Sequence, residues 1–149
     1  MENNNWFTDF KSLQEEIDSP SKDSTNPHFG NKYASFDSCL TTIKPALHKN
    51  NFVLVQSNNR DDLGDYTETK FLHETGKELT TKVYLVLDKQ NMQGMGSAIT
   101  YAKRYGILTL AGIEPEVKDD DDANKSSVGN STPSYQSKPK QPSKSKYQL

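Results

Sequence analysis

Apolar residues recur near the start of the chain with helical spacing. Trp6, Phe10, Leu13 and Ile17 lie four, three and four positions apart, while Lys11, Gln14, Glu15 and Asp18 fill the other face. That pattern predicts an amphipathic helix over residues 5–18, followed by a polar linker from Ser19 to Pro27. A second helix is predicted from near Ser35, with Phe36, Leu40, Ile43 and Leu47 on one face and Asn50-Asn51 at its end. Pro45 falls inside this stretch and should kink the helix or open a new short one from Lys44. The period then changes. Phe52 to Val55 is a β-branched apolar run, Tyr66 to Glu74 alternates loosely, and Leu79, Thr81, Val83, Leu85 and Leu87 face one way. Glu74-Thr75-Gly76-Lys77 reads as a hairpin turn, and Asn58 to Asp65 as an exposed loop. A third helix is predicted from about Ser97, as N-cap, to Leu110. Gly94 and Gly96 would give it a flexible entry, Gly112 would cap its end, and Pro115 would block continuation.

These elements predict an α+β fold, a single domain in which helices pack a small antiparallel β-hairpin sheet. Composition adds a tail. Only 32% of the 149 residues are hydrophobic, against roughly 45–50% on a slightly wider count in typical domains. Beyond Lys118 the chain is dominated by Ser, Pro, Lys, Gln and Asn, too polar to offset the entropy of ordering, so disorder is expected there. The organisation expected is residues 1–25 as helix and linker, 26–117 as core, and 118–149 as an acidic run followed by the tail.

Net charge is −2, which argues against a simple basic nucleic-acid binder. The charge is unevenly spread: residues 1–25 sum to −4, 26–117 balance, and 118–149 sum to +2. Cys39 is the single cysteine, so no intrachain disulfide forms. No leading apolar run of signal-peptide type occurs, and no run approaches the roughly 20 apolar residues of a membrane span. The expectation is a soluble protein of the cytoplasm.

The richest candidate for chemistry lies on the third helix. Tyr101 and Tyr105 are four apart and share a face, with Lys103 and Arg104 between them. Aromatic rings and cations in that arrangement suit unstacked bases and their phosphates. The same residues also read as half-buried core tyrosines beside a solvated basic face. Lys32, Lys44, Arg60, Lys70 and Lys82 are further cations that could line a groove. Gly94-Met95-Gly96-Ser97 matches neither a P-loop nor a dinucleotide fingerprint, so ATP use is unsupported and a hinge is the plainer reading.

Asp119, Asp120, Asp121 and Asp122 could hold a weak Mg2+, although their spacing excludes an EF-hand and a solvated run is the plainer reading. His28, His48 and His73 are scattered with no metal-site spacing, and Cys39 reads as a buried small hydrophobe. No hydrolytic constellation is present in the sequence, no metal or other cofactor is otherwise called for, and the protein is not expected to be an enzyme. The Trp6, Phe10, Leu13, Ile17 stripe must be covered by its own core or by a neighbouring subunit.

Several blocks resemble the essential recombination function (ERF) family, phage proteins that anneal single strands. Asn26-Pro27-His28-Phe29-Gly30-Asn31-Lys32-Tyr33-Ala34 and Lys44-Pro45-Ala46-Leu47 resemble its opening, and His73-Glu74-Thr75-Gly76 its hairpin. Gly96-Ser97-Ala98-Ile99-Thr100-Tyr101-Ala102-Lys103-Arg104-Tyr105, with Ala111-Gly112-Ile113 and the Asp119–Asn124 run, resembles its most distinctive stretch. The resemblance covers about residues 10–124. Gly106 departs from it, and a helical glycine costs up to about 1 kcal/mol against alanine, which sets the continuity of that helix in question. Glu116-Val117-Lys118 is a second departure, a longer and less acidic approach to the aspartates.

The resemblance implies an α/β fold with a curved antiparallel hairpin sheet backed by helices. It implies a protein that binds single-stranded DNA and pairs complementary strands without ATP, as a homo-oligomeric ring or arc, in phage recombination within the host cytoplasm. On this reading Tyr101, Lys103, Arg104 and Tyr105, with Lys32, Lys44, Arg60 and Lys82, contact DNA. Trp6, Phe10, Leu13 and Ile17 drive oligomerisation, and the Lys-rich tail is a candidate contact for a host single-strand binding protein. A plain single-stranded DNA-coating protein without annealing activity is the runner-up. An oligomeric scaffold that ignores DNA comes next, and a metal-dependent nuclease using the aspartates ranks last.

Overall fold

A computed structural model describes residues 5–114. The tail from residue 118 and the Asp119–Asp122 run lie outside the described residues. In chain order the elements are α1 (Trp6–Glu16), β1 (Ser24–Thr25), β2 (Lys32–Tyr33), α2 (Phe36–Lys49), β3 (Phe52–Asp61), β4 (Gly64–His73), β5 (Glu78–Tyr84) and α3 (Met92–Ala111). The fold is α+β, with three helices, a three-stranded antiparallel sheet in the order β3-β4-β5, and a two-stranded hairpin of β1 and β2. Among the described residues no helix is long and apolar enough to cross a membrane.

The sheet has a covered and an open face. Its register places Phe52, Leu54 and Gln56 beside His73, Phe71 and Thr69, with Leu79 and Thr81 on the far side of Phe71 and Thr69. Phe52, Phe71, Thr67, Thr69 and His73 on this face are buried beneath the helices. Val53, Val55 and Tyr84 on the opposite face are exposed. The core joins that covered face to Leu13 of α1, Cys39, Ile43 and Leu47 of α2, and Ile107 and Leu108 of α3. Burial raises the Cys39 thiol, in keeping with a small hydrophobe.

The amphipathic stripe of α1 is covered by its own chain. Leu13 is fully buried, and Phe10 and Ile17 pack against the core, with the Phe10 ring 6.0 Å from that of Phe52. Trp6 is half-buried, with the Lys77 ammonium 5.0 Å from its ring. The stripe is thus packed against the chain's own core at Leu13, with Trp6, Phe10 and Ile17 each partly buried.

A polar clamp fixes the angle of α1. Asp9 Oδ2 accepts from His73 Nε2 and from Asn51 Nδ2, both at 2.9 Å. Thr75 donates its backbone N–H to His73 Nδ1 at 3.2 Å, so the ring proton sits on Nε2 and points at Asp9. Asp9→Ala leaves this buried donor without its partner and is expected to lower stability by about 1–3 kcal/mol in urea unfolding.

The hydrogen bonds from Asn51 and then His73 hold the Asp9 carboxyl below its ordinary value. A depressed carboxylate contributes stability that is complete above its unfolded pKa, about 4, and is lost as pH falls through the lower folded value. Stability of the native protein should therefore decline below about pH 4, and Asp9→Asn should shallow that decline. Identical slopes for the two proteins would remove Asp9 from the acid response.

Several boundaries differ from the sequence pattern. Pro45 lies inside α2 without ending it. Ile43 and Leu47 on either side of it are fully buried, and this packing holds the helix across the missing N–H. The expected loop from Asn58 is instead strand as far as Asp61, each residue facing one on β4. Thr67 donates to Asn58 Oδ1 at 2.7 Å, and the turn closes where Asp61 Oδ1 accepts from Leu63 N at 2.9 Å and Gly64 takes φ 135°. β5 ends at Tyr84, with one further bond from Leu85 N to Asp65 O at 2.8 Å, so Leu85 and Leu87 continue the alternation beyond the strand.

The third helix begins earlier than expected, at Met92, because Asn91 and not Ser97 is its N-cap: Asn91 Oδ1 accepts from Gly94 N at 2.8 Å. Gly94, Gly96 and Gly106 are all helical. At its end Gly112 takes the left-handed conformation (φ 75°) and Ile113 N donates to Leu108 O at 2.9 Å, as the sequence anticipates.

Candidate nucleic-acid interface

Helix α3 crosses the covered face of the sheet and carries the tyrosines. Gln56 sets its height: Nε2 donates to Thr69 Oγ1 on the central strand and to the Lys103 carbonyl on the helix, both at 3.0 Å. With that turn fixed, Tyr101 projects outward and is 50% exposed, while Tyr105 lies half-buried. Their ring centroids are 6.1 Å apart with planes 21° from parallel, an offset stack.

Two concavities meet at Tyr101. One is a cleft of about 490 Å3 between α3 and the β5–α3 connection. Val83, Val86, Ala98 and Ala102 give it apolar walls, Tyr101 and Tyr105 an aromatic one, and Asp88, Lys89, Gln93 and Ser97 a polar end. The other is a notch of about 20 Å3 between α3 and the β1–β2 hairpin, lined by Phe29, Asn31, Lys32, Tyr33, Tyr101 and Arg104. Tyr101 is thus a ridge between a roomy cleft and a notch bearing an exposed lysine.

Arg104 is not the exposed cation that its place between two tyrosines predicts. It is only 4% exposed, and its guanidinium carbon lies 4.7 Å from the Tyr33 ring centroid, 5.0 Å from Tyr105 and 5.3 Å from Tyr101. The helix turns Arg104 toward the β1–β2 hairpin and leaves Tyr101 outside. Lys103 is half-buried and leans toward α2, its ammonium 5.9 Å from the Phe36 ring.

The remaining sequence-predicted cations are dispersed. Lys32 joins the notch. Lys44 is exposed on α2. Arg60 sits near the β3–β4 turn and pairs with Asp65 at 3.4 Å. Lys82 is on the open face of the sheet, 3.4 Å from Asp61 Oδ2 and 4.4 Å from the Tyr66 ring centroid. Tyr84 donates to the same Asp61 at 2.6 Å, and this bond is the main reason that the Asp61 carboxyl sits low. Lys70 is likewise paired, with Glu78 at 3.1 Å and Glu68 at 3.5 Å. The open face therefore carries its own counter-charges. Lys32, Tyr101, Arg104 and Tyr105 come together, while Lys103 leans away toward α2 and Lys44, Arg60 and Lys82 lie on other elements.

Sequence reasoning did not single out Tyr33 or Phe29 as site residues, nor Lys89, Gln93 and Ser97 of the cleft. Tyr33 and Phe29 stand in the first block of family resemblance beside Lys32, which was the signal available. No group of three or more metal-ligating side chains occurs among the described residues.

A family model, the ERF superfamily, matches residues 6–148. No curated protein and no solved structure matches. The match spans all three helices, both sheets and the block that carries Tyr101, Lys103, Arg104 and Tyr105, and on that coverage the chain belongs to the ERF superfamily.

Proposed function

We propose that this protein binds single-stranded DNA along the Tyr101 ridge and anneals complementary strands without ATP, acting as a homo-oligomer. Family membership supports a phage recombination role at the coarse level. The observation that carries the finer reading is Tyr101 itself, half-exposed and stacked on Tyr105, between an aromatic cleft and a notch lined by the exposed Lys32. A base stacks on an exposed ring whatever its identity, so such a ridge holds a strand without reading its sequence. Lys32, at the edge of the notch, then meets a phosphate beside the stacked base.

The mechanism is physical, with no bond made or broken. Each subunit contributes a short strip, and side-by-side copies extend it into a groove in which one strand lies with its base edges free to test a complement. Pairing supplies the free energy. Weak contacts repeated over many subunits give tight and salt-dependent binding. The Lys-rich tail would recruit further DNA or a host single-strand binding protein.

The test is annealing of complementary fluorescent strands without ATP. Acceleration by the protein supports the proposal. Binding without acceleration leaves the runner-up, a coating protein, and absence of binding removes both.

A further inference from the structure

Arg104 combines burial, three aromatic neighbours and a position on the ridge helix, and a phosphate ligand needs none of these. Its guanidinium carbon lies within 4.7–5.3 Å of the ring centroids of Tyr33, Tyr101 and Tyr105. The three rings come from two elements, β2 and α3. Its charge also acts inward, drawing the Cys39 thiol down against the burial that raises it. Lys32 is adjacent to Tyr33 on the two-residue strand β2, so whatever fixes Tyr33 also fixes Lys32.

We propose that Arg104 is a positioning residue: its guanidinium sets the stacked pair Tyr101 and Tyr105 and ties the β1–β2 hairpin, with Lys32, against α3, without neutralising a DNA phosphate itself. A planar, weakly hydrated guanidinium stacks on ring faces, whereas a lysine ammonium is compact and strongly hydrated, sheds more water to enter such a cage and cannot reproduce the stacked geometry. The site thus depends on the shape of the Arg104 head group as well as on its charge. This inference rests on the single-stranded DNA reading above for its binding consequence, but the cage itself can be read without DNA.

The experiment is equilibrium binding of a fluorescent oligonucleotide at several salt concentrations, with near-ultraviolet circular dichroism of the tyrosines recorded on the free protein. Arg104→Lys keeps the charge and is expected to weaken binding on the order of tenfold, to lower the slope of log affinity against log salt by no more than the single contact of Lys32, about 0.7, and to diminish the tyrosine signal. Tyr33→Leu, which leaves Arg104 in place, should do the same. Lys32→Ala, in contrast, should reduce the slope by about 0.7, the value for one phosphate contact on a single strand. Full affinity in Arg104→Lys overturns the proposal, because charge alone would then suffice. A slope lower by about 0.7 in Arg104→Gln than in Arg104→Lys overturns it too, because the charge of Arg104 would then neutralise a phosphate. Should Arg104→Lys fail to fold, Tyr33→Leu decides: weaker binding, with the slope lowered by no more than the one contact of Lys32, supports the cage, and unaltered binding overturns it. A wild-type protein that does not bind DNA sinks the functional reading, while the tyrosine signal of the variants still reports whether Arg104 sets the rings.

Discussion

Tyr101→Ala is expected to abolish most single-stranded DNA binding while leaving the fold intact. Stacking of a base on an aromatic side chain contributes about 1–3 kcal/mol, so one subunit should lose roughly 5- to 150-fold in affinity. In an oligomer the loss repeats at every subunit along the strand and compounds. Stability should change little, because the ring is 50% exposed and forms no part of the buried core. Tyr101→Phe should bind nearly as well as the native protein, since a phenyl face stacks as a phenol face does. Tyr101→Leu should not, although it keeps much of the apolar area. Oligonucleotide titration with a parallel melting curve reads all three. Equal affinity for the leucine and phenylalanine variants would show that the residue acts by bulk rather than by stacking, and the ridge would lose its meaning.

Much of this was legible along the chain because it depends on local periodicity. The stripe of α1, the apolar face of α2, the hairpin turn at Gly76 and the cap at Gly112 each follow from spacing or from a required backbone angle. Even the separation of Lys82 from the tyrosines was implicit: it sits between Thr81 and Val83, whose alternation turns them toward the helices, so Lys82 must face away. The far half of β3 was not legible. Asn58, Asn59 and Arg60 have no strand signature, and their conformation is imposed by pairing with Thr67, Tyr66 and Asp65 across the turn.

The burial of Arg104 was hidden for a related reason. Its local neighbours look like an exposed binding strip, and the third wall of its cage, Tyr33, comes from the distant β1–β2 hairpin. The start of α3 lies ahead of Ser97 because Gly94 and Gly96, which read as a flexible entry, are themselves helical, and Gly94 is there because a Cβ would run into the Lys89 carbonyl. A glycine reports that something needs the space or the angle, and a single sequence does not say which.

The same ambiguity gives the second large expected effect, an opposite response of two glycines in one helix. By propensity alone, glycine to alanine within a helix should stabilise by about 0.5–1 kcal/mol. Gly96 meets that condition: a Cβ there has nothing within 4 Å. Gly96→Ala should therefore raise the melting temperature, at about 4–8 °C per kcal/mol for a small domain. At Gly106 a Cβ would collide with the Thr69 hydroxyl oxygen and lie 3.0 Å from Thr69 Cβ. Thr69 has no room to yield. It is fully buried on the central strand, and its hydroxyl is held by the Gln56 amide that also supports α3. Overpacking of this kind costs about 1–3 kcal/mol, which outweighs the propensity gain, so Gly106→Ala should lower the melting temperature and loosen the helix from the sheet. Thr69→Ala removes the obstructing hydroxyl, and Gly106→Ala should therefore cost less in that background than in the native one. A melting temperature raised by Gly106→Ala alone would mean that the helix does not lie this close to β4, and the height of the Tyr101 ridge, which that approach sets, would have to be redrawn.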